Sequence, residues 1–90
     1  MSELRDNAAK GQFEMDEQGL TSFATYRREG GTMYIDYVFA PPALRGTGAS
    51  GRLMTAVAET AQREKLKIVP ICGYAAGWLR ASKTYRDLVA

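Results

Sequence analysis

The segment Ala40-Pro41-Pro42-Ala43-Leu44-Arg45-Gly46-Thr47-Gly48-Ala49-Ser50 separates two hydrophobic patterns in this sequence. Before it, polar and apolar residues alternate as they do in β-strands. After it, Leu53, Val57 and Ala61 recur every four positions, as on one face of a helix. The two prolines lack the N–H group that a β-ladder needs, so strand pairing must stop there. The segment therefore predicts a strand, a glycine-bearing loop and a helix in succession.

Three stretches before this segment are predicted to be β-strands, at residues 12–15, 20–28 and 32–39. The first alternates polar and apolar residues, and the other two are rich in the β-branched and aromatic residues that suit a pleated surface. A polar turn ending in Gly19 and a glycine pair after Glu29 separate the three stretches. Sequential strands joined by short turns predict an antiparallel meander.

The residues after the segment predict a β-α-β unit and a helical end. Residues 49–65 are predicted as an amphipathic helix, and residues 66–71 as a buried strand parallel to the strand before the helix. Residues 74–88 predict one or two short helices. Residues 1–90 are accordingly expected to form a single mixed α/β (α+β) domain, in which an antiparallel meander precedes the β-α-β unit and the short C-terminal helices.

Composition and charge argue against several classes of protein. The 90 residues are 46% hydrophobic and 24% charged, and no apolar run approaches the ~20 residues that span a bilayer. A net charge of +2 without a basic run gives no reason to expect nucleic acid as a partner. Cys72 is the one cysteine, and the polar N-terminus lacks a secretory signal, so we expect a cytoplasmic protein. With no histidine and one cysteine, we expect no metal site.

The glycine-bearing loop before the helix has the properties of an anion site. The first helical N–H groups have no partner inside the helix, and the helix dipole favours negative charge there. Gly46 and Gly48 can take positive φ and let the backbone approach phosphate oxygens. Arg45 can add a charge-assisted contact, and the hydroxyls of Thr47 and Ser50 can add weaker ones. On spacing alone, a turn that merely caps a structural helix fits equally well.

The loop resembles the acetyl-coenzyme A motif of the GNAT superfamily of N-acetyltransferases. Arg45-Gly46-Thr47-Gly48-Ala49-Ser50 matches Q/R-x-x-G-x-G/A, with serine in the last place. The likeness to small stand-alone members extends through the preceding prolines, Val69-Pro70-Ile71-Cys72-x-Tyr74 and the ending Tyr85-Arg86-Asp87-Leu88. Tyr37 stands where those small proteins often have histidine, so a role in acid-base chemistry does not carry over to it.

The resemblance implies a GNAT-like fold and acetyl-coenzyme A as cosubstrate. Main-chain groups at Val38 and Ala40 would pair with the pantetheine arm, which enters a gap between parted parallel strands. The pyrophosphate would be held by the loop, whose residues are Arg45, Gly46, Thr47, Gly48, Ala49 and Ser50.

Catalytic roles are implied for two residues beyond the second parallel strand. Tyr74 would protonate the departing thiolate, and Cys72 would relay a proton or accept the acetyl group. Both residues also fit simple packing roles. Asp36 and Tyr37 are the nearest substitutes for the missing histidine, and as neighbours on a strand they are expected to face opposite ways.

The sequence leaves more than one function open. The first hypothesis is an N-acetyltransferase that acts on an amine of a small molecule or a protein. The alternative is a coenzyme A-binding interaction module without turnover, and a third is a small nucleotide-phosphate binder. We expect a monomer or a weak homodimer that interacts with neither nucleic acid nor membranes.

Overall fold

The computed structural model describes residues 3–90 of the chain. The described residues form five strands, two α-helices and two short 3₁₀ turns. In chain order the elements are β1 (Leu4–Asn7), β2 (Gln12–Glu17), β3 (Leu20–Glu29), β4 (Thr32–Phe39), a 3₁₀ turn (Pro42–Leu44), α1 (Ala49–Arg63), β5 (Lys67–Pro70), α2 (Gly73–Ala81) and a second 3₁₀ turn (Arg86–Leu88).

The five strands form one mixed sheet in the order β1-β2-β3-β4-β5. The first four run antiparallel, and β5 pairs parallel to β4, as a β-α-β unit requires. This confirms the predicted mixed fold. The meander has one strand more than expected, because β1 is short and mostly polar and gives no clear strand pattern. The polar turn after β2 is also shorter than expected, since Asp16 and Glu17 pair with β3 and leave only Gln18 and Gly19 in the turn.

Both helices bury their apolar residues in a single core cluster with one face of the sheet. Alternate residues of β2, β3 and β4 supply the sheet side of this cluster, as the period of a strand predicts. The helical side comes from the four-residue spacing seen in the sequence. Its buried members are Leu53, Met54, Val57 and Ala61 of α1 with Ala75 and Leu79 of α2. This packing fixes the N-terminus of α1 near the end of β4.

The strand β4 contains an irregularity next to the point where β5 leaves it. In the register with β3, Thr25 pairs with Tyr37 and Tyr26 pairs with Ile35, so Asp36 is an extra residue in β4. Pairing with β5 ends at Ile35, although β4 continues for four more residues to Phe39. Beyond Ile35, β4 is therefore paired along the β3 edge alone within residues 3–90.

Candidate functional site

The loop between β4 and α1 is shaped by two glycines in the left-handed region. The 3₁₀ turn Pro42–Leu44 ends the strand, Gly46 has φ 83°, and Gly48 caps α1 with φ 87°. Residues with a Cβ rarely adopt such φ values. The turn can form here because both positions are glycine. At Gly48 there is a second restriction, because a Cβ would come within 3.0 Å of Arg52 Nη1.

The helix beyond the loop begins with unpaired amides. The first intrahelical bond runs from the Arg52 amide to the Gly48 carbonyl, at 3.0 Å. No acceptor within residues 3–90 bonds the amides of Gly48, Ala49, Ser50 or Gly51, and no side chain caps the helix. These donors lie at the positive end of the helix dipole. The arrangement provides a site for an anion.

Thr47 is occupied within the loop itself. Its amide and its hydroxyl both donate to the Leu44 carbonyl, at 3.2 Å and 2.6 Å. In this structure the hydroxyl stabilises the turn, and its contact with phosphate stays a prediction. The amides that follow Thr47 are the donors that remain available.

Arg45 connects the end of β4 to the loop. Its Nε donates to the Ala40 carbonyl at 3.0 Å, and its guanidinium carbon lies 5.7 Å from the centre of the Phe39 ring. The side chain is exposed, and it adds positive charge beside the unpaired amides. Arg45 thus lies where it can contact an anion held at the helix N-terminus.

The unpaired edge of β4 presents main-chain groups to the gap left by β5. The Ile35 carbonyl faces this edge, since it accepts the amides of Ile71 and Cys72 at 2.9 and 3.1 Å. The extra residue at Asp36 shifts the alternation by one, so the groups of Val38 and Ala40 face the same edge. Arg45 holds the Ala40 carbonyl, as described above. The contact of Val38 and Ala40 with pantetheine stays a prediction.

A groove of about 230 Å³ joins the loop to Tyr74. Tyr74 lies in the first turn of α2 and is 46% exposed. Partial burial, with a smaller contribution from the neighbouring Cys72, raises the pKa of the Tyr74 phenol. The phenol therefore keeps its proton at neutral pH and is a donor rather than a base. The groove is lined by Leu44, Arg45, Gly46, Gly48, Ala49, Ser50, Gly51 and Tyr74.

Cys72 lies beside this groove without forming part of its lining. It is the cap residue of α2, its carbonyl accepts the Ala76 amide at 2.9 Å, and its half-buried side chain packs against the core. The structure therefore brings the loop and Tyr74 together more closely than it brings the loop and Cys72.

The two candidate bases lie on one face of the sheet, which corrects the expectation that they face opposite ways. Arg27 and Thr25 share a face of β3. Arg27 Nε bonds the Asp36 carboxylate at 3.0 Å, and Thr25 pairs with Tyr37. Asp36 and Tyr37 therefore lie on that same face. The physical reason is the extra residue in β4. Tyr37 is 52% exposed. The hydrogen bond from Arg27 lowers the pKa of Asp36, which makes this carboxylate a weak base.

Arg52 and Glu17 form a contact that the sequence did not indicate. Arg52 Nε and Nη2 donate to the two carboxylate oxygens of Glu17 at 2.8 and 2.7 Å. The Arg52 side chain is half exposed, so it is both solvated and paired with Glu17. The two residues are 35 positions apart, so no local pattern relates them.

The described residues contain neither a metal-binding cluster nor a membrane-spanning helix. In residues 3–90, no cluster of three or more His, Cys, Asp or Glu side chains could hold a metal ion. Within the same part of the chain, neither helix has the length and apolar character needed to cross a membrane.

A glycine loop at a helix N-terminus inside a β-α-β unit, where the pairing of the two parallel strands ends beside the loop, is typical of α/β proteins that bind anions. A sequence profile of the family described as GCN5-related N-acetyl-transferase matches residues 12–88. The chain therefore belongs to the GCN5-related N-acetyltransferase (GNAT) family, which confirms the resemblance and supports a general acetyltransferase function. Proteins of this family generally use acetyl-coenzyme A.

Comparison with solved structures gives the same result for the fold. The chain is similar to a GCN5-like protein from Staphylococcus aureus, solved in solution by NMR, to which an N-acetyltransferase activity is ascribed. The two are 26% identical, with a TM-score of 0.70, over 98% of this chain and 87% of the other. No curated protein matches the sequence significantly.

Proposed function

We propose that this protein transfers an acetyl group from acetyl-coenzyme A to an amine. The observation that carries the proposal is the row of unpaired amides from Gly48 to Gly51, next to the gap between β4 and β5. A pyrophosphate is an anion that such a row can bind, and Arg45 adds a charge-assisted contact. Gly46 and Ser50 line the same groove. The residues present therefore fit the cosubstrate that the family generally uses.

The unpaired edge of β4 accounts for the other half of the cosubstrate site. Val38 presents main-chain groups there, and Ala40 follows one residue past the end of β4, with its carbonyl bonded by Arg45. Main-chain recognition is independent of side-chain identity. The bound cosubstrate supplies the acetyl group as a thioester. A tyrosine phenol is protonated at neutral pH, and the raised pKa of Tyr74 preserves that state, so Tyr74 has a proton to donate to the departing thiolate.

Cys72 offers a second route to the same product. In this route the Cys72 thiolate would displace the coenzyme A thiolate from the acetyl group, the released thiolate would take up a proton, and the amine would then displace the Cys72 thiolate. Its contact with the core and its place outside the lining of the groove favour the direct route through Tyr74. We propose Tyr74 as the acid and retain Cys72 as the alternative to be tested.

The accepting amine must lose a proton, and the chain offers few bases. Asp36 is an ion-pair partner of Arg27 with a lowered pKa, and Tyr37 is an exposed phenol. This scarcity favours acceptors that reach the site already neutral, or a proton path through water. It also favours the second candidate function, a coenzyme A-binding module without turnover.

The acceptor is either a small amine or an amine of a protein, and we propose action as a monomer or weak homodimer. A cytoplasmic location agrees with the single, half-buried cysteine, Cys72.

Thermal unfolding followed by an activity assay tests the proposal. Acetyl-coenzyme A at a hundredfold excess over its Kd adds about 2.7 kcal/mol to the free energy of unfolding and raises the melting temperature. Release of free coenzyme A should then depend on added amine. A melting shift without amine-dependent release identifies the non-catalytic binder, and the lack of any shift at millimolar ligand contradicts both candidates.

A further inference from the structure

Arg52 contacts the loop of residues 45–50, here called the phosphate loop, and is itself bonded to Glu17. These contacts suggest a role for Arg52 and Glu17, which both lie outside the loop. We infer that Arg52, held by Glu17, is a positioning residue that orients the Thr47–Gly48 peptide so that the Gly48 amide faces the groove. The inference rests on the proposed function, because it names the groups that shape the same cosubstrate site.

The guanidinium of Arg52 bonds two partners at once. Its Nη1 donates to the Thr47 carbonyl at 2.9 Å, while its Nε and Nη2 hold the Glu17 carboxylate. Arg52 thereby connects the end of β2 to the loop that precedes α1. A planar guanidinium with several donors in fixed directions can make these contacts together, which a lysine ammonium cannot do with the same geometry.

The contact with the Thr47 carbonyl sets the direction of the next amide. A trans peptide is planar, and its C=O and N–H point in opposite directions. Since Arg52 holds the Thr47 carbonyl on one side, the Gly48 N–H points to the other side. Gly48 lines the 230 Å³ groove, and its amide has no acceptor within residues 3–90.

Glu17 is suited to hold the guanidinium in place. Its side chain is only 13% exposed, and the hydrogen bonds from Arg52 lower the pKa of its carboxyl group. The two residues also line a separate groove of about 550 Å³ between β2 and α1. Glu17 therefore acts on the phosphate loop indirectly, through Arg52.

The experiment compares two carboxylates of equal charge. Coenzyme A is a polyanion, so the removal of any nearby carboxylate should by charge alone leave binding unchanged or strengthen it. Glu17→Gln should instead weaken coenzyme A binding about threefold to tenfold. The reason is that the Gly48 amide, no longer oriented by Arg52, would make a poorer charge-assisted hydrogen bond to the pyrophosphate. Glu59→Gln is the matched control, because Glu59 is exposed on α1 and lines the same larger groove. Equal affinity of the two variants would overturn the inference.

A second ligand separates positioning from direct contact. Dephospho-coenzyme A keeps the pyrophosphate but lacks the 3′-phosphate, so positioning predicts the same fold-loss for both ligands in Glu17→Gln. A loss seen only with coenzyme A would show that Arg52 acts on the 3′-phosphate itself and would overturn the inference. Arg52→Lys keeps the charge and should weaken the binding of both ligands by a similar factor. This variant replaces Glu17→Gln in the test if Glu17→Gln does not fold.

A measurement without ligand keeps this inference distinct from the proposed function. In Glu17→Gln, the ¹⁵N heteronuclear NOE of the Gly48 amide should fall, as expected for a loop that has lost a restraint. An unchanged NOE overturns the positioning role even if coenzyme A binds. A lowered NOE with no coenzyme A binding to the unaltered protein supports the positioning role and contradicts the proposed function instead.

Discussion

The turn between β2 and β3 and the loop before α1 both place residues at positive φ, and of these two only the loop has the features of a binding site. In the turn between β2 and β3, Gln18 has φ 53° and Gly19 has φ 74°, and the flanking residues pair with each other across the two strands. In the loop before α1, Gly46 and Gly48 have similar values, but the amides that follow are unpaired. Positive φ is therefore a property of tight turns, whereas unpaired amides at a helix N-terminus indicate a site.

The largest expected effect comes from a β-branched residue at Gly48. Gly48→Val should weaken coenzyme A binding more than about a hundredfold, because strain at positive φ displaces several amides that would bond phosphate. The new Cβ would also contact Arg52 Nη1. Calorimetric titration of the folded variant measures this loss.

Gly19→Val is the control for this prediction, since it places the same strain in the other turn. No atom lies within 4 Å of a Cβ at Gly19, so the new side chain meets no clash. The variant should lower the melting temperature through backbone strain alone and retain normal coenzyme A affinity. Equal affinity losses in the two variants would show that the loop before α1 has no special role.

Tyr74 is expected to give the next largest effect, on turnover. Tyr74→Phe removes the phenol proton that would go to the departing thiolate. It should lower kcat about a hundredfold, with coenzyme A affinity nearly unchanged. Cys72→Ala should retain most of its turnover if the direct route holds. A labelled acetyl group trapped on Cys72 would instead support the covalent route, and full activity of both variants would assign both residues to packing.

The smallest effect concerns stability on the face of the sheet that points away from the helices, where Glu14 lies between the core residues Phe13 and Met15. The Glu14 carboxylate is buried and accepts hydrogen bonds from Gln12, Asn7 and Arg5. The bond from Gln12 is the largest cause that lowers the pKa of Glu14. A lowered pKa stabilises the fold above the unfolded-state value of about 4.3, and the contribution is lost as the pH falls through the folded-state pKa.

Glu14→Gln should accordingly melt at a lower temperature than the unaltered protein at pH 7, and the difference should shrink below about pH 4.3. Its coenzyme A affinity should be unchanged, since Glu14 lies on the face of the sheet opposite to α1. Unfolding curves recorded between pH 7 and pH 3 test this, with the exposed Glu59→Gln as the control. A difference that does not vary with pH would show that the carboxylate charge contributes nothing.

The features that could be predicted from the sequence are those with local signals. The glycine loop, the amphipathic period of α1 and the apolar run of β5 follow from neighbouring residues, and they gave the fold and the family. The extra residue at Asp36 depends on the register between two strands, and the Arg52–Glu17 pair depends on residues far apart in sequence. The charged strand β1 is recognisable only through its pairing with β2.

The central claim is that the cosubstrate pyrophosphate binds at the N-terminus of α1, and an NMR titration tests it most directly. Coenzyme A added to ¹⁵N-labelled protein should shift the amide resonances of Gly46, Gly48, Ala49, Ser50 and Gly51 most strongly. The amides of Gln18 and Gly19 should shift little, although their backbone conformation is similar. Saturating shifts centred elsewhere, or none at millimolar coenzyme A, would contradict the account.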